Sequence, residues 1–215
     1  MLVLAIASAS GGCAAAMVRD GEVVAGERID AEQGLAAAIP PMVATLIAAA
    51  GTPDLVAVVV GPGSFTGLRA GISVAQGVGL GAGIEVVGVT VSEALADSLP
   101  QLGGRALWVA NDSRRGRIFL DRDGAVEAVG LDALPAAGGR VAVAGDAAIP
   151  VAAALAARGA DVMLTSARRP TPRHVAIVGL RRAEGALPAL EPIPLYVDAP
   201  EARLPAGGLR PAPMG

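Results

Sequence analysis

The segment that decides the fold is LVAVVVGPGSFTGLRAGISVAQGVGLGAG, residues 55–83. Its first six residues are apolar and mostly valine, as in a strand that is covered on both faces. A turn with two glycines and a proline follows, and a stretch with helical spacing begins near Thr66. A buried strand that leads through a glycine-rich turn into a helix is typical of a parallel α/β sheet.

Outward from this segment, the pattern predicts three strands joined by hairpins and then an alanine-rich helix with Pro41 in its first turn. After a turn-rich break at residues 100–104 a similar order begins again. The predicted strands are 2–7, 13–18, 22–29, 55–60, 85–89, 105–110, 116–120, 125–129 and 141–144. The predicted helices are the one ending at Ala50, then 66–83, 92–98, 151–157 and 175–182.

Two copies of this order predict an α/β protein with two lobes of the ribonuclease-H or actin kind, each a three-strand meander plus crossover helices. The first lobe is predicted at residues 1–100 and contains the glycine-rich loop and the partner-binding helices. A smaller second lobe is predicted at 101–198, and a flexible tail rich in proline and glycine at 199–215.

Composition excludes several kinds of chemistry. All 17 basic residues are arginine, so a Schiff-base lysine or a phosphate-loop lysine is excluded. One histidine, His174, and one cysteine, Cys13, do not make a zinc site, although a Cys–His pair remains open. With a net charge of −3 and 2% aromatic residues, the chain alone is expected to bind nucleic acid weakly.

The first residues resemble a targeting segment only superficially. They are apolar, but no lysine or arginine precedes Arg19, so the positive region of a signal peptide is missing. The longest uncharged run, residues 33–53, contains Pro40 and Pro41 and is dominated by alanine. We therefore expect a soluble cytoplasmic protein without a membrane span.

The loop between the buried strand and the helix carries groups that bind anions. Backbone N–H groups at a helix start, two hydroxyls and a guanidinium one turn later can hold a phosphate or a carboxylate. A tight turn with a Ser or Thr helix cap explains the same residues, and both interpretations stay open. The candidate residues are Gly61, Gly63, Ser64, Thr66 and Arg69.

Small residues recur every four positions along the predicted helix: Gly67, Gly71, Ala75, Gly79 and Gly83. Glycine costs about 0.5–1 kcal/mol per position inside a helix, so this row needs a compensating contact. A groove of small residues can receive a second helix, either an internal one or one from another subunit. The uncharged stretch around the row favours another subunit, and the predicted interface also includes Met42 and Leu46.

The segments GPGSFTGLRAGISVAQGVGL (61–80) and IEVVGVTVSEALA (84–96) resemble the signature of the TsaB (YeaZ) family, bacterial proteins required for threonylcarbamoyladenosine modification of tRNA. Residues 34–43 are similar to the family's first long helix, and 109–116 to its second-lobe strand and turn. PLYV at 194–197 is similar to its C-terminal Pro-x-Tyr signature. The resemblance covers most of the chain.

The resemblance implies an ASKHA (actin-like) fold and a non-catalytic subunit. In the family, the TsaD subunit transfers the threonylcarbamoyl group to the adenosine beside the anticodon. TsaB pairs with TsaD through first-lobe helices and supports binding of the TsaE ATPase. By this resemblance the chain binds no cofactor alone, partner subunits use ATP and magnesium, and tRNA is reached through the complex. A homodimer of the isolated chain is left open.

Three positions depart from the family pattern. Relatives read Ile-Asp-Thr-Ser at the end of the first strand, whereas Ala7 stands here in place of the aspartate that binds magnesium in ATP-binding members of the fold. This change argues further against nucleotide hydrolysis. Leu35 replaces a common histidine and Asp198 a common arginine. The effect of these two changes on partner contacts is open.

Two enzymatic alternatives have less support. An acyl- or phosphoryl-transfer enzyme with Ser64 as nucleophile needs a base, and the one histidine stands before another predicted helix. A metallopeptidase needs a ligand set that one histidine without a nearby cysteine does not supply. A local basic patch is either an RNA-facing contact in the complex or a solvated rim, and it consists of Arg114, Arg115 and Arg117.

Overall fold

The computed structural model describes residues 1–30, 34–99 and 101–197, which form two five-stranded sheets with packed helices. The strands are β1 (Leu2–Ala7), β2 (Cys13–Arg19), β3 (Glu22–Ile29), β4 (Leu55–Gly61), β5 (Val86–Thr90), β6 (Ala106–Asp112), β7 (Ile118–Arg122), β8 (Ala125–Val129), β9 (Val141–Ala144) and β10 (Val162–Leu164). The helices are α1 (Leu35–Ala50), α2 (Phe65–Ala82), α3 (Val91–Asp97), α4 (Ala148–Ala157) and α5 (Pro172–Ala183).

The first sheet has the order β3-β2-β1-β4-β5, with β1 antiparallel to β2 and parallel to β4. β1 and β4 are buried along their whole length because helices cover both faces of the sheet. α1 and α2 pack together on one face, where Gly71 approaches Ile6. α3 and α5 pack together on the other face, where Gly179 approaches Ala57. Ala57 precedes Val58, the β4 residue that pairs with Ile6, and side chains alternate along a strand, so Ala57 and Ile6 lie on opposite faces of the sheet.

The second sheet has the order β10-β9-β6-β7-β8, which repeats the order of the first. Its meander β6-β7-β8 is antiparallel, and β9 joins β6 in parallel. α4 packs on β6, β9 and β10 and closes a separate core around Leu120 and Val151. The two-lobed α/β architecture predicted from the sequence is confirmed.

The predicted second lobe is wrong at its C-terminal end. α5 packs on β1 and β4, and its Val175 and Val178 belong to the core of the first lobe. The residues after α5 stay on that lobe, since Leu190 O accepts the Gly88 N–H at 2.8 Å. The reason is that the apolar stripe of α5 covers the sheet face that α1 and α2 leave open. The predicted tail at 199–215 lies outside the described residues.

The start of α1 also differs from the prediction. The helix begins at Leu35, so Pro40 and Pro41 lie inside it rather than in its first turn. Both prolines are exposed, where carbonyl groups without a helical donor can bond to water. In the described ranges, no helix combines the length and the apolar character that a membrane span requires.

Candidate functional site

The glycine-rich loop carries the chain from β4 into α2. Ser64 caps the helix, because its Oγ accepts the Gly67 N–H in a long hydrogen bond of 3.5 Å. The Ser64 N–H donates to Ala9 O at 2.7 Å, and a Cβ at Gly63 would collide with the backbone of Ala9. The loop is therefore pressed against the turn that follows β1, and Ser64 fulfils the helix-cap interpretation.

Arg69, one turn into α2, binds an aromatic pair. Its Nε and Nη2 donate to the Tyr196 hydroxyl at 3.0 and 2.8 Å, and its Cζ lies 3.8 Å from the centroid of the Phe65 ring. Both rings are half exposed. The guanidinium that was predicted to hold an anion is thus engaged with aromatic side chains. Tyr196 was not among the predicted site residues, although its Pro-x-Tyr motif was a signal.

The glycine row of α2 faces the interior of the first lobe. A Cβ at Gly67 would collide with the carbonyl oxygen of Ser8, and one at Gly79 would collide with the side chain of Val86. Small residues here let the helix backbone lie directly on β1 and β5. The subunit-interface prediction is therefore wrong for the buried members of the row, which are Gly67, Gly71, Ala75 and Gly79.

The other predicted interface residues are two buried ones, Met42 and Leu46, and the exposed Gly83. Met42 and Leu46 of α1 are buried in the first-lobe core, so they do not face a partner either. Gly83 is exposed, and it ends α2 with a φ of 67° while its N–H donates to Gly79 O. The row is explained by internal packing, but on the strands of the first sheet and Ser8 rather than on the internal helix that the sequence left open.

The opposite side of the same helices is exposed and, apart from Arg69 one turn into α2, uncharged. Leu80 is 88% exposed there, more than any other large apolar side chain of the described residues. We define the α1–α2 outer surface as the exposed residues Ala36, Ala37, Pro40, Pro41, Ala44, Thr45, Ala48, Ala49, Ser73, Gly77, Leu80 and Gly81. None of these side chains carries a charge. The candidate contact surface thus moves from the buried row to the other face of α2.

The predicted basic patch lies on the turn between β6 and β7. Arg114 has a φ of 61°, and its N–H donates to Asp112 Oδ1 at 2.7 Å. Arg117 donates through Nη2 to Ala128 O on β8, and the Arg115 N–H donates to a serine hydroxyl in the turn. Arg114 and Arg117 therefore make different contacts, and an RNA-facing role of the patch stays a prediction.

A second charged group lies where β3 ends. Arg28 donates to Asp30 through Nε at 2.9 Å and Nη2 at 2.7 Å. These hydrogen bonds lower the pKa of Asp30 and raise the pKa of Arg28. Arg169, from the segment before α5, places its Nη1 3.7 Å from Asp30 Oδ1. The carboxylate therefore links β3 to the chain that returns from the second lobe.

The residues considered for enzymatic roles stabilise the fold. Burial raises the pKa of the Cys13 thiol to about 12, so the reactive thiolate is scarce at neutral pH. His174 Nδ1 lies 2.7 Å from Asp97 Oδ2 and joins α5 to α3, with Arg181 on the other carboxylate oxygen. Among the described residues, no group of three or more His, Cys, Asp or Glu side chains could hold a metal ion.

Two of the departures from the family pattern lie within described residues. Ala7 is buried at the end of β1. The carboxylate that binds the magnesium of a magnesium–nucleotide complex in this fold type is therefore missing at that position. Leu35 is buried in the first turn of α1, so it packs inside the lobe. Asp198 lies outside the described residues.

A groove of about 710 Å³ lies between the lobes, with Leu107, Val109 and Leu190 among its apolar walls. Its polar wall includes Arg182, which donates to Gly88 O at 2.6 Å and also bonds Glu93. These polar groups hold α5 against β5 and α3.

Comparison with known proteins identifies the family. The model of the tRNA N6-adenosine threonylcarbamoyltransferase family, TsaD, matches residues 29–185. The tRNA threonylcarbamoyladenosine biosynthesis protein TsaB of Escherichia coli K12 is 35% identical over 124 residues. That alignment covers 55% of this chain and 53% of TsaB, so it spans about half the length of that relative. An uncharacterized protein of Mycobacterium tuberculosis H37Rv is 37% identical over 216 residues, 94% of this chain and 93% of that protein.

Solved structures agree with the fold. YeaZ from Pseudomonas aeruginosa has a TM-score of 0.63 and 21% identity, covering 91% of this chain and 99% of that chain. An uncharacterized Pseudomonas aeruginosa protein with similarity to peptidase YEAZ has a TM-score of 0.69 and 21% identity, covering 92% of this chain and 99% of that chain. The family model matches most of the chain, so the chain, which is also similar to TsaB of Escherichia coli and has the fold of YeaZ as its motifs suggested, belongs to the tRNA N6-adenosine threonylcarbamoyltransferase family.

Proposed function

We propose that this chain is a non-catalytic subunit of a complex that makes threonylcarbamoyladenosine beside the anticodon of tRNA. In this role it pairs with a TsaD-type transferase, activates it and supports binding of a TsaE-type ATPase. Membership of the family and similarity to a relative named for threonylcarbamoyladenosine biosynthesis support the pathway. ATP and magnesium would act on the partner subunits, and tRNA would be reached through the complex.

The observation that carries the pairing proposal is the α1–α2 outer surface. Two adjacent helices present small and mostly apolar side chains, with Arg69 as the exposed charge beside them, and Leu80 projects from α2 with 88% of its surface exposed. Burying a leucine in a contact stabilises it by about 1.5–3 kcal/mol, and no charged side chain of this surface would need to be desolvated. These properties favour a partner with a complementary apolar helix surface.

The contacts of the loop support a non-catalytic role. Ser64, the candidate nucleophile, uses its hydroxyl to cap α2. Cys13 is held as a buried thiol with a pKa of about 12. Ala7 stands where a magnesium-binding carboxylate would be needed. The proposed contribution of this chain is therefore a binding surface rather than a reacting group.

The test is association with the TsaD-type protein of the same organism. Leu80→Asp places a charge in the proposed contact, and we expect affinity to fall by about 10-fold or more because a buried, unpaired carboxylate is costly. Leu131→Asp is the matched control, since Leu131 is an exposed leucine of the second lobe. Sedimentation velocity measures the association, and a modification assay that omits each component measures its effect.

The pairing proposal fails if the wild-type chain does not associate with the transferase, or if both aspartate variants associate equally well. Self-association of the isolated chain that Leu80→Asp abolishes, without any transferase binding, would assign the surface to a homodimer instead. Both variants are first compared with the wild type by thermal melting, so that a loss of binding is not a loss of folding.

A further inference from the structure

The second sheet has one face that α4 does not cover. Side chains alternate along a strand, so Trp108 and Leu120 point into the core under α4 and their strand neighbours point away from it. Val109 and Asp121 are cross-strand partners of β6 and β7 on this second face. The face lines the groove of about 710 Å³ between the lobes. Small-molecule sites often lie between domains and measure roughly 300–1,000 Å³, so the groove has a suitable size.

The walls of this groove are largely apolar. Leu107, Val109 and Val126 contribute from the second lobe. Ala96 of α3 and Leu190, from the segment after α5, contribute from the first lobe. A ligand that fills the space between them therefore needs an apolar body, because apolar groups leave water favourably.

The groove also carries an excess of negative charge. Its charged lining residues are Glu93, Asp121, Asp123 and Arg182. Arg182 bonds Glu93 and also donates to backbone carbonyl oxygens, so these two charges compensate each other. In the part of the chain that the structure describes, neither Asp121 nor Asp123 forms an ion pair. The groove therefore presents two carboxylates that a cation can neutralise.

Asp121 is the recessed one of these two carboxylates. It is only 7% exposed, and its Oδ1 accepts the Gly124 N–H at 3.1 Å. Oδ2 has no hydrogen-bond donor among the described residues, and the adjacent Arg122 bonds Glu127 instead. Ser92 Oγ, in the wall formed by α3, is likewise buried without a partner among those residues. A buried carboxylate with an unused oxygen is costly, and a cation that enters the groove would remove this cost.

We propose that the groove between the lobes binds a small organic cation, a molecule that carries an ammonium or guanidinium group on a hydrocarbon body. The cationic group donates to Asp121 Oδ2, and Asp123 at the exposed rim adds to the attraction. The hydrocarbon body packs between Leu107 and Leu190. Because Asp121 is recessed, a free molecule reaches it more readily than a side chain on the surface of a partner protein. The two unpaired carboxylates disfavour an anionic ligand such as a nucleotide.

This proposal goes beyond the proposed role in tRNA modification and does not depend on it. α3 packs on the face of the first sheet opposite α1 and α2, so the groove and the α1–α2 outer surface lie on different sides of the first lobe. The test follows the amide signals of the full chain by NMR during titration with hexylguanidine. Hexanol is the neutral probe with the same hydrocarbon chain.

The test variant is Asp121→Asn, which removes the charge but keeps an Oδ1 acceptor for the Gly124 N–H. The matched control is Asp132→Asn, since Asp132 is an exposed carboxylate of the second lobe that does not line the groove. We expect hexylguanidine to shift the signals of residues around the groove and to bind the test variant about 10-fold more weakly than the wild type. The control should keep the wild-type affinity within about twofold. Hexanol should bind all three proteins alike, about 10-fold more weakly than hexylguanidine binds the wild type.

Thermal melting first establishes that both variants are folded. If Asp121→Asn does not fold, Asp123→Asn at the rim replaces it, with an expected loss of affinity of about threefold. Equal binding of hexylguanidine and hexanol, equal affinities of the test and control variants, or signal shifts outside the groove would overturn the proposal.

Two further results would give the groove another occupant and would also overturn the proposal. A chain shortened to residues 1–197 keeps both hydrophobic cores, and its binding of hexylguanidine when the full chain binds none would assign the groove to the chain's own C-terminal residues. Weaker association of Asp121→Asn with the transferase, without any binding of hexylguanidine, would assign the groove to a side chain of that partner.

Discussion

On the inner face of α2, Gly67, Gly71 and Gly79 lie so close to β1 and β5 that a Cβ would collide with neighbouring atoms. On the outer face of the same helix, a Cβ at Gly77 or Gly81 would meet nothing within 4 Å. Both sets of glycines cost helix stability by a similar amount. Only the inner set recovers it through close packing of the helix on the sheet.

This difference shows that one small-residue pattern can serve two purposes on one helix. The inner glycines set the distance between α2 and the first sheet, and so they determine where the loop and Arg69 lie. The outer glycines leave Leu80 as a projecting apolar side chain on a smooth surface. The inner face is thus a matter of folding, and the outer face is available for association.

The largest expected effect comes from filling the inner face. Gly79→Leu would push a side chain into Val86 and the carbonyl oxygen of Ile84, 3.1 Å from a Cβ. We expect a loss of about 3 kcal/mol or more, which lowers the melting temperature by about 6–12 °C in a chain of this length. Thermal melting followed by circular dichroism measures the change.

The matched control is Gly77→Leu on the outer face, which has open space and gains helix propensity. Its melting temperature should equal or exceed that of the wild type. Equal melting temperatures for the two leucine variants would contradict the distinction between the faces.

A smaller effect is expected where the start of α2 meets the C-terminal segment. Arg69→Ala removes the hydrogen bonds to Tyr196 and the contact with Phe65, all at a half-exposed site, and should cost about 0.5–1.5 kcal/mol. Tyr196→Phe removes the hydroxyl alone and should cost less. In a double-mutant cycle, a coupling energy near zero would show that the pair does not hold this segment.

The smallest expected effects are changes in stability that differ in sign between the outer and inner faces of α2. Gly77→Ala and Gly81→Ala should each stabilise the chain by about 0.5–1 kcal/mol, because alanine lowers the entropy of the unfolded chain and fits the open face. Gly71→Ala should destabilise it, since a Cβ there collides with the Ser8 side chain. Chemical denaturation measures all three variants, and stabilisation by Gly71→Ala would contradict the assignment of the inner face.

Much of the fold was predictable from local pattern. Uninterrupted apolar runs identified β1 and β4, and short runs separated by turn signals identified both meanders. The short strand β10 was missed because Val162, Met163 and Leu164 are too few to show a period. α5 was predicted as a helix but assigned to the wrong lobe, because its apolar stripe fits either sheet until the path of the chain is known.

The candidate site, like the fold, was only partly predictable from the sequence. The sequence by itself determined that the glycine-rich segment joins a buried strand to a helix, that Ser64 was one of two possible caps, and that the chain has no lysine chemistry. The tertiary structure decided which face of α2 is buried and that Arg69 binds Tyr196. Helical spacing fixes which residues share a face, but the face that turns inward depends on contacts with residues far away in the chain, such as Ser8 and Val86.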